Sequence, residues 1–436
     1  MNLTPRIWDP KHECMSREDM QAMQLRRLQL TVARVYTLVP FYRRKMDELG
    51  VKPEHIQSLK DIRLLPFTVK QDLRDTYPDG LFAADRDDIV RVHASSGTTG
   101  KPIVMGYTRK DLDVWSDCVA RALSSVGADT SSVVQVSYGY GLFTGGLGAH
   151  DGAQKVGAMV VPTSGGNTRR QVMMMRDLGS THLCCTPSYA MYLSEAIEKE
   201  GISKDELKLR VGLFGAEAWS EDMRAELERR LGIKARDIYG LTEISGPGVS
   251  MQCLNGTGMH IQEDHFYPEI IDPDTLEPLP EGETGELVFT TISKEGIPLL
   301  RYRTRDITNL THEPCVCGRT TVRMGRILGR TDDMLIIRGV NVFPSQVESA
   351  LLSLGMEPHY QIIVERINNL DQMEIQVEMS ESMFSDQVRV IEQMTQRIHK
   401  EIEAVLGISC RLTLMEPHTI PRSEGKAKRV IDKRKL

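Results

Sequence analysis

Ser95-Ser96-Gly97-Thr98-Thr99-Gly100-Lys101-Pro102 follows a short alternating run, Asp88 to Ala94, that predicts a strand. A strand emptying into a loop of hydroxyls, two glycines and one lysine is a place to hold a phosphate chain. Glycine lets the backbone approach closely, and N–H groups, hydroxyls and an ammonium all donate to phosphate oxygens. The same composition also describes an ordinary polar surface loop. A P-loop is disfavoured, because Lys101 is followed by Pro102 where that motif needs Ser or Thr, and proline has no N–H to give.

Downstream of this loop the pattern alternates. Strands are expected at 133–136, 157–162, 182–185, 209–214 and 235–239, with helices at 111–126, 169–178, 188–199 and 220–231 between them. Gly139 to Gly148 is a glycine-rich turn into a further helix. Such alternation predicts an α/β domain with a mostly parallel sheet, whose ligands lie at the carboxyl ends of the strands. Upstream, Arg17 to Leu49 has helical apolar spacing interrupted at Thr37–Pro40, and Thr68 is expected to cap a helix entering at Lys70. Beyond Glu243 the chain turns β-rich over 266–309. After a polar stretch at Gly329–Asp333, residues 334–436 form a small α+β pattern of their own. The fold expected is therefore α/β: a large N-terminal domain, 1–331, with mostly parallel sheets plus a β-rich subdomain, and a small mobile C-terminal domain, 332–436.

With 436 residues, 40% apolar and 26% charged, the chain is long enough for two or more domains of a soluble protein. A net charge of −6 argues against nucleic acid or an anionic membrane as partner. No apolar run reaches signal-peptide or bilayer-spanning length, so a cytoplasmic location is expected. Cys14, Cys118, Cys184, Cys185 and Cys410 sit in helix-like or strand-like contexts and are expected to be reduced packing residues.

Four short motifs carry chemistry beside the opening loop. Tyr239-Gly240-Leu241-Thr242-Glu243 ends a strand that includes Asp237, and its hydroxyl and carboxylate suit a phosphate and Mg²⁺; a solvated strand end would look alike. Tyr302-Arg303-Thr304-Arg305-Asp306 offers a carboxylate for ribose hydroxyls, or a charged turn. Gly215-Ala216-Glu217 could wall an adenine, or simply leave a strand. Pro421-Arg422-Ser423-Glu424-Gly425-Lys426 opens a basic terminal run that is either a solvated tail or a loop delivering a lysine to a reacting carboxylate.

Taken in this order and spacing, the set resembles the adenylate-forming superfamily of acyl-CoA synthetases, luciferases and adenylation domains. Segments 93–102, 138–150, Thr186-Pro187-Ser188-Tyr189, 215–217, Gly246-Pro247-Gly248-Val249 and 422–432 narrow it: they are similar to phenylacetate–coenzyme A ligases over nearly the whole chain. The resemblance implies ATP-dependent, AMP-forming ligation of an aryl acid to coenzyme A. Phenylacetate, a hydroxylated form, indoleacetate and benzoate are all admissible acids. It implies a phosphate loop of Ser95, Ser96, Gly97, Thr98, Thr99, Gly100 and Lys101. Nucleotide contacts would come from Gly215, Ala216, Glu217, Asp237, Tyr239, Gly240, Thr242, Asp306 and Arg330. Glu243 would ligate Mg²⁺, Lys426 would be the catalytic lysine of adenylation, and Asp332 the hinge between domains. The aryl pocket would involve Tyr138, Tyr140, Phe143 and Gly145, and the assembly would be a homodimer. Two positions depart from the family pattern near that pocket: Ala218 precedes Trp219, and Asp151 follows His150. An adenylating enzyme with another acceptor, a carrier-protein thiol or an amine, is the alternative.

Cys253, His260, Cys315 and Cys317 form a second constellation, three thiols and one imidazole, as in a closed structural Zn²⁺ site. Cys-x-Cys is tighter than the usual spacing, and His265 and His312 are alternative imidazoles.

Overall fold

A computed structural model describes residues 3–95, 102–331, 335–338, 340–367, 370–380, 388–423, 425 and 427–434. The chain divides into two compact units, one of residues 1–185, 205–216 and 234–326, the other of 186–204, 217–233 and 327–436.

The first unit opens with a short helix α1 (Pro10–Glu13), followed by α2 (Arg17–Leu38) and α3 (Pro40–Glu48), which share one apolar stripe with a break at Val39. Ser16 accepts the Asp19 N–H and starts α2, and Pro40 stops it and supplies the first turn of α3. This N-terminal segment is tied to chain far away in sequence. Glu13 pairs with Arg319, both buried; Arg17 pairs with Glu263 at 2.8 Å. Arg121, reaching from α5, joins Asp264 at 2.8 Å and Asp9 at 3.0 Å. Helix α4 (Lys70–Asp75) is capped differently from expectation. Asp72 accepts the Val69 N–H at 2.8 Å, whereas the Thr68 hydroxyl is buried and donates to Leu300 O at 2.7 Å.

The opening strand is shorter than expected, β1 (Arg91–Ala94), and it pairs antiparallel with β2 (Val104–Tyr107). Helix α5 (Arg109–Ser125) follows, capped by Thr108. Then come β3 (Val133–Val136), α6 (Thr144–Val156), β4 (Met159–Val161), α7 (Thr168–Asp177), β5 (His182–Cys185), β6 (Val211–Phe214) and β7 (Lys234–Leu241). These strands are parallel, in the order 4-3-5-6-7. The sheet then continues antiparallel through β8 (Gly246–Met251), β9 (Met259–Ile261), β14 (Arg323–Met324) and β13 (Leu310–Thr311), nine strands among the described residues. A second sheet holds β10 (Phe266–Ile271), β11 (Gly285–Thr291) and β12 (Tyr302–Thr308), antiparallel, and β13 (Leu310–Thr311) pairs with β14 (Arg323–Met324). Close packing of α6 on α5 depends on glycine: a Cβ at Gly148 would sit 2.4 Å from the Trp115 ring, and one at Gly152 2.4 Å from Val119.

The second unit contains α8 (Pro187–Lys199) and α9 (Glu221–Leu231), which the sequence reading assigned to the N-terminal domain, together with the segment from Ile327 onward. That segment has β15 (Gly329–Arg330), the hairpin β16 (Leu335–Ile337) and β17 (Val340–Val342), α10 (Pro344–Ser353), β18 (Tyr360–Ile367), β19 (Leu370–Glu378), α11 (Val388–Leu406), β20 (Arg411–Met415) and β21 (Val430–Asp432). The sheet order is 20-19-18-21. Val347 and Leu351 of α10 and Ile398 and Ile402 of α11 seal a core with Ile362, Val364, Ile375 and Val377. The basic C-terminal run is not a solvated tail: residues 430–432 pair in parallel with β18, since their alternating Val-Ile supplies the strand. Among the described residues no helix is long and apolar enough to cross a membrane.

Candidate active site

In the first unit the strand order reverses between β3 and β5, where parallel neighbours lead away in opposite directions. Such a switch point leaves a crevice at the carboxyl ends. Tyr138 follows β3, Gly215 and Ala216 follow β6, and Tyr239, Gly240, Thr242 and Glu243 lie at the end of β7 and just beyond. All of these expected residues share one edge. Gly215 permits the approach of two strands, because a Cβ there would lie 2.0 Å from Ile238 O. Ala216 holds φ at +73°, a left-handed conformation that costs a non-glycine residue about 1 kcal/mol. Gly240 marks a bulge in the β7–β8 ladder and abuts Gly246 O, 1.8 Å from where a Cβ would stand.

Tyr239 donates its hydroxyl to Asp306 Oδ2 at 2.6 Å, joining β7 to β12. Asp306 is buried with one carboxylate oxygen engaged in this way. Asp237, buried two residues before Tyr239, is backbone-paired with Gln252. Thr242 Oγ1 lies 3.5 Å from Thr144 Oγ1 at the start of α6. Glu243 is buried, with Lys70 Nζ at 3.8 Å. Ser95 is half-buried and donates its N–H to Ile103 O at 3.1 Å; residues 96–101 of the phosphate loop lie outside the described residues.

The aryl-pocket candidates gather around the glycine-rich turn. Ala94 N and His93 Nδ1 both meet Leu142 O, at 2.9 and 3.1 Å, so β1 and the turn are fixed to each other. Tyr138 is buried, and a Cβ at Gly145 would lie 3.2 Å from its ring. Tyr140 Oη and His150 Nδ1 are 3.2 Å apart, and burial pushes the Tyr140 hydroxyl above its ordinary range. Phe143 is half exposed. Asp151, the residue departing from the family pattern, pairs with Arg91 at 2.6 Å and so anchors α6 to β1.

In the second unit Glu217 is engaged by backbone: one oxygen accepts the Ser188 N–H at 2.7 Å, the other the Ala427 N–H at 2.9 Å. Thr186 Oγ1 donates to Gly425 O at 3.1 Å. Lys426 and Asp332 lie outside the described residues, and Arg330 is in β15. The other departing position, Ala218, precedes a buried Trp219 whose ring stacks under Arg224 at 4.6 Å.

The sequence reading missed the residues behind the Thr242–Glu243 turn. Tyr107 and Trp115 stack at 5.3 Å, with His93 edge-on to both. Lys294, buried, donates to Ile244 O at 2.7 Å. Burial pushes its ammonium down to about 8 against the opposing pull of Asp111 and Glu243. A lysine just after a strand has no signal in the sequence that separates it from a solvated one.

The four residues of the second constellation come together in the first unit: their ligand atoms all lie within 4.8 Å of one another. Cys253 Sγ is 3.7 Å from Cys315 Sγ, and Cys317 Sγ is 3.4 Å from His260 Nε2. Thr321 Oγ1 meets His260 Nδ1 at 3.1 Å and turns the other nitrogen inward. Gly256 lies flush against two of the sulfurs, 2.6 Å from where a Cβ would be. Hydrogen bonding to Cys253, then to His260, pulls the Cys317 thiol down, while Cys253 is held up. His265 instead faces Asp264 and Ser293, and His312 faces Glu281.

Residues 42–293 match the model of the AMP-binding enzyme family, and residues 339–434 that of the AMP-binding enzyme C-terminal domain. A phenylacetate–coenzyme A ligase of Thermus thermophilus is 52% identical over 98% of this chain and the whole of its own length. One from Escherichia coli is 49% identical over 97% of each. Among solved structures, 2-hydroxyisobutyryl-CoA ligase with a bound acyl-AMP superposes with a TM-score of 0.92 at 29% identity, covering 97% of this chain and 91% of that one.

Proposed function

The chain belongs to the phenylacetate–coenzyme A ligase family of AMP-binding enzymes, and from that premise we propose that its acid is phenylacetate or a close aryl relative, activated at the carboxyl edge of the large sheet. It is a CoA ligase that consumes ATP and proceeds through an acyl-adenylate. The observation that carries the site assignment is the convergence of Tyr239, Thr242, Glu243 and Asp306, with Gly215 and Ala216, at one strand edge in the first unit.

In this reading the carboxylate attacks the α-phosphate of ATP, pyrophosphate leaves, and the CoA thiol then attacks the acyl-adenylate carbonyl with AMP departing. The first step brings anion to anion, so positive charge and hydrogen-bond donors have to gather there. Asp306, its carboxylate oriented by the Tyr239 hydroxyl, would accept from the ribose hydroxyls. The Thr242 hydroxyl would donate to phosphate, and residues 95–101 would cradle the remaining oxygens. Gly215 and Ala216 would form the adenine wall. Lys426 would offset the charge developing between carboxylate and phosphate, with Arg330 assisting at the nucleotide. Glu243, a buried carboxylate beside a hydroxyl, is a hard oxygen donor that suits Mg²⁺, which would neutralise phosphate charge. Tyr138, Tyr140, Phe143 and Gly145 would line the aryl pocket. The domain division at Asp332 and a homodimeric assembly belong to the same proposal and rest on the family resemblance.

The Cys253–His260–Cys315–Cys317 set fits a structural Zn²⁺: three sulfurs and one oriented imidazole within coordinating reach, on a strand, a strand end and the loop between β13 and β14. Carboxylate-dependent ATP–pyrophosphate exchange tests the adenylation, and CoA consumption with a panel of aryl acids tests the acceptor and the acid. Exchange without CoA consumption would favour a carrier-protein or amine acceptor instead.

A further inference from the structure

The turn that presents Thr242 and Glu243 joins β7 to β8 and has few backbone bonds of its own. Ile244 N and Ser245 N both reach Leu241 O, at 3.2 and 3.1 Å. Its carbonyls are gathered by two side chains from elsewhere in the first unit. The Tyr107 hydroxyl lies 3.3 Å from Thr242 O and 3.1 Å from Ser245 O. Lys294 Nζ donates to Ile244 O, between them, at 2.7 Å and stands 4.5 Å from the centre of the Tyr107 ring. The Tyr107 hydroxyl and the Lys294 ammonium thus fix the turn from behind.

Lys294 is itself held firmly. Asp111, buried on α5, accepts the Glu295 N–H at 2.7 Å and the Gly296 N–H at 2.8 Å, and its second oxygen also accepts the Thr108 N–H at 3.0 Å. Gly296 is pressed on Gly106 O, 2.5 Å from where a Cβ would lie. A buried ammonium is a costly way to satisfy one carbonyl, since its desolvation exceeds what a neutral donor would incur. The arrangement therefore calls for a role besides packing.

We propose that Lys294 is a positioning residue for adenylation, holding the Thr242–Ser245 turn with Tyr107 so that the Thr242 hydroxyl and the Glu243 carboxylate keep the direction that Mg²⁺ and the ATP phosphates require. This rests on the roles of Thr242 and Glu243 given above. Lys294→Met keeps the apolar stem of the side chain and removes the buried charge, so its thermal midpoint stays level or rises. Its ATP–pyrophosphate exchange kcat falls about a hundred-fold, the cost of a displacement of about 1 Å at a reacting group. The Mg²⁺ concentration for half-maximal exchange rises, and KM for the aryl acid is unchanged. Thioester formation from supplied acyl-adenylate stays within about two-fold. Tyr107→Phe, which removes only the hydroxyl, follows in the same direction with a smaller loss. Wild-type exchange in Lys294→Met, or equal loss of both half-reactions together with a lowered midpoint, overturns the inference. Absence of exchange in the wild-type protein overturns the assignment of Thr242 and Glu243 instead.

Discussion

Tyr239 Oη stands 2.6 Å from Asp306 Oδ2, across two different sheets of the first unit. The bond orients the carboxylate that is expected to meet the ribose. Asp306→Ala should therefore raise KM for ATP by about ten- to a hundred-fold, the value of a hydrogen bond to a charged group. Tyr239→Phe should cost less, because it loosens the carboxylate without removing it. Steady-state kinetics with ATP varied checks both, and an unchanged KM in Asp306→Ala would remove this aspartate from the nucleotide site.

Lys426 is flanked by residues that are held on either side, Gly425 by Thr186 and Ala427 by Glu217. Lys426→Ala is expected to lower acyl-adenylate formation by about a hundred- to a thousand-fold, as when one preorganised donor is lost from a site of developing charge. Thioester formation from supplied acyl-adenylate should survive. Single-turnover assays of the two half-reactions separate these outcomes, and equal impairment of both would count against a lysine specific to the first.

The Cys253 cluster should carry about one Zn²⁺ per chain, by elemental analysis of protein purified without chelator. Cys317→Ser should lose the metal and lower the melting temperature, because binding free energy at a structural site is folding free energy. Metal-free wild-type protein that melts at the same temperature as the metal-loaded protein would refute a structural role.

His182 gives a pH dependence that can be isolated. It is buried in β5, its Nδ1 lies 2.9 Å from Thr181 Oγ1, and burial pushes the imidazole down to about 4. The unfolded chain takes up the proton near the ordinary value of about 6.5. Between those values the unfolded state binds more protons, so stability falls as pH drops from 6.5 toward 4. His182→Gln should remove about 2–3 kcal/mol of that loss. Denaturant titrations of both proteins at pH 7, 5.5 and 4.5, compared as differences, make the test; parallel curves would show that His182 does not titrate in this window.

The parallel half of the large sheet was legible because each buried strand is a short apolar run and each crossover helix has its own stripe. Its antiparallel half was not. Gly246-Pro247-Gly248 has the composition of a turn, yet it begins β8, where pairing with a bulged β7 overrides local preference. Among the candidate site residues, Thr242, Glu243 and Asp306 stood out only through the order and spacing of the whole set of motifs, whereas the cysteines did so by their own chemistry. His260 was one of three candidate imidazoles, and only the pairing of β9 with β14 brings it beside the Cys315–Cys317 loop. Tyr107, Asp111 and Lys294 left no trace in the sequence, because their roles arise from contacts between segments 50 to 184 residues apart.

The pairings of Glu13 with Arg319 and of Arg17 with Glu263 have a consequence for synthesis. These charged groups of the first two helices meet their partners only after a further 246 residues, for Arg17, and 306, for Glu13, have been made. Until then the buried carboxylate of Glu13 and the guanidinium of Arg17 lack these ion-pair partners. The α/β segments made in between have local partners and can collapse first. The N-terminal helices can therefore complete these ion pairs only late in synthesis, although they are made first, and in that interval they are open to chaperones and to misassociation.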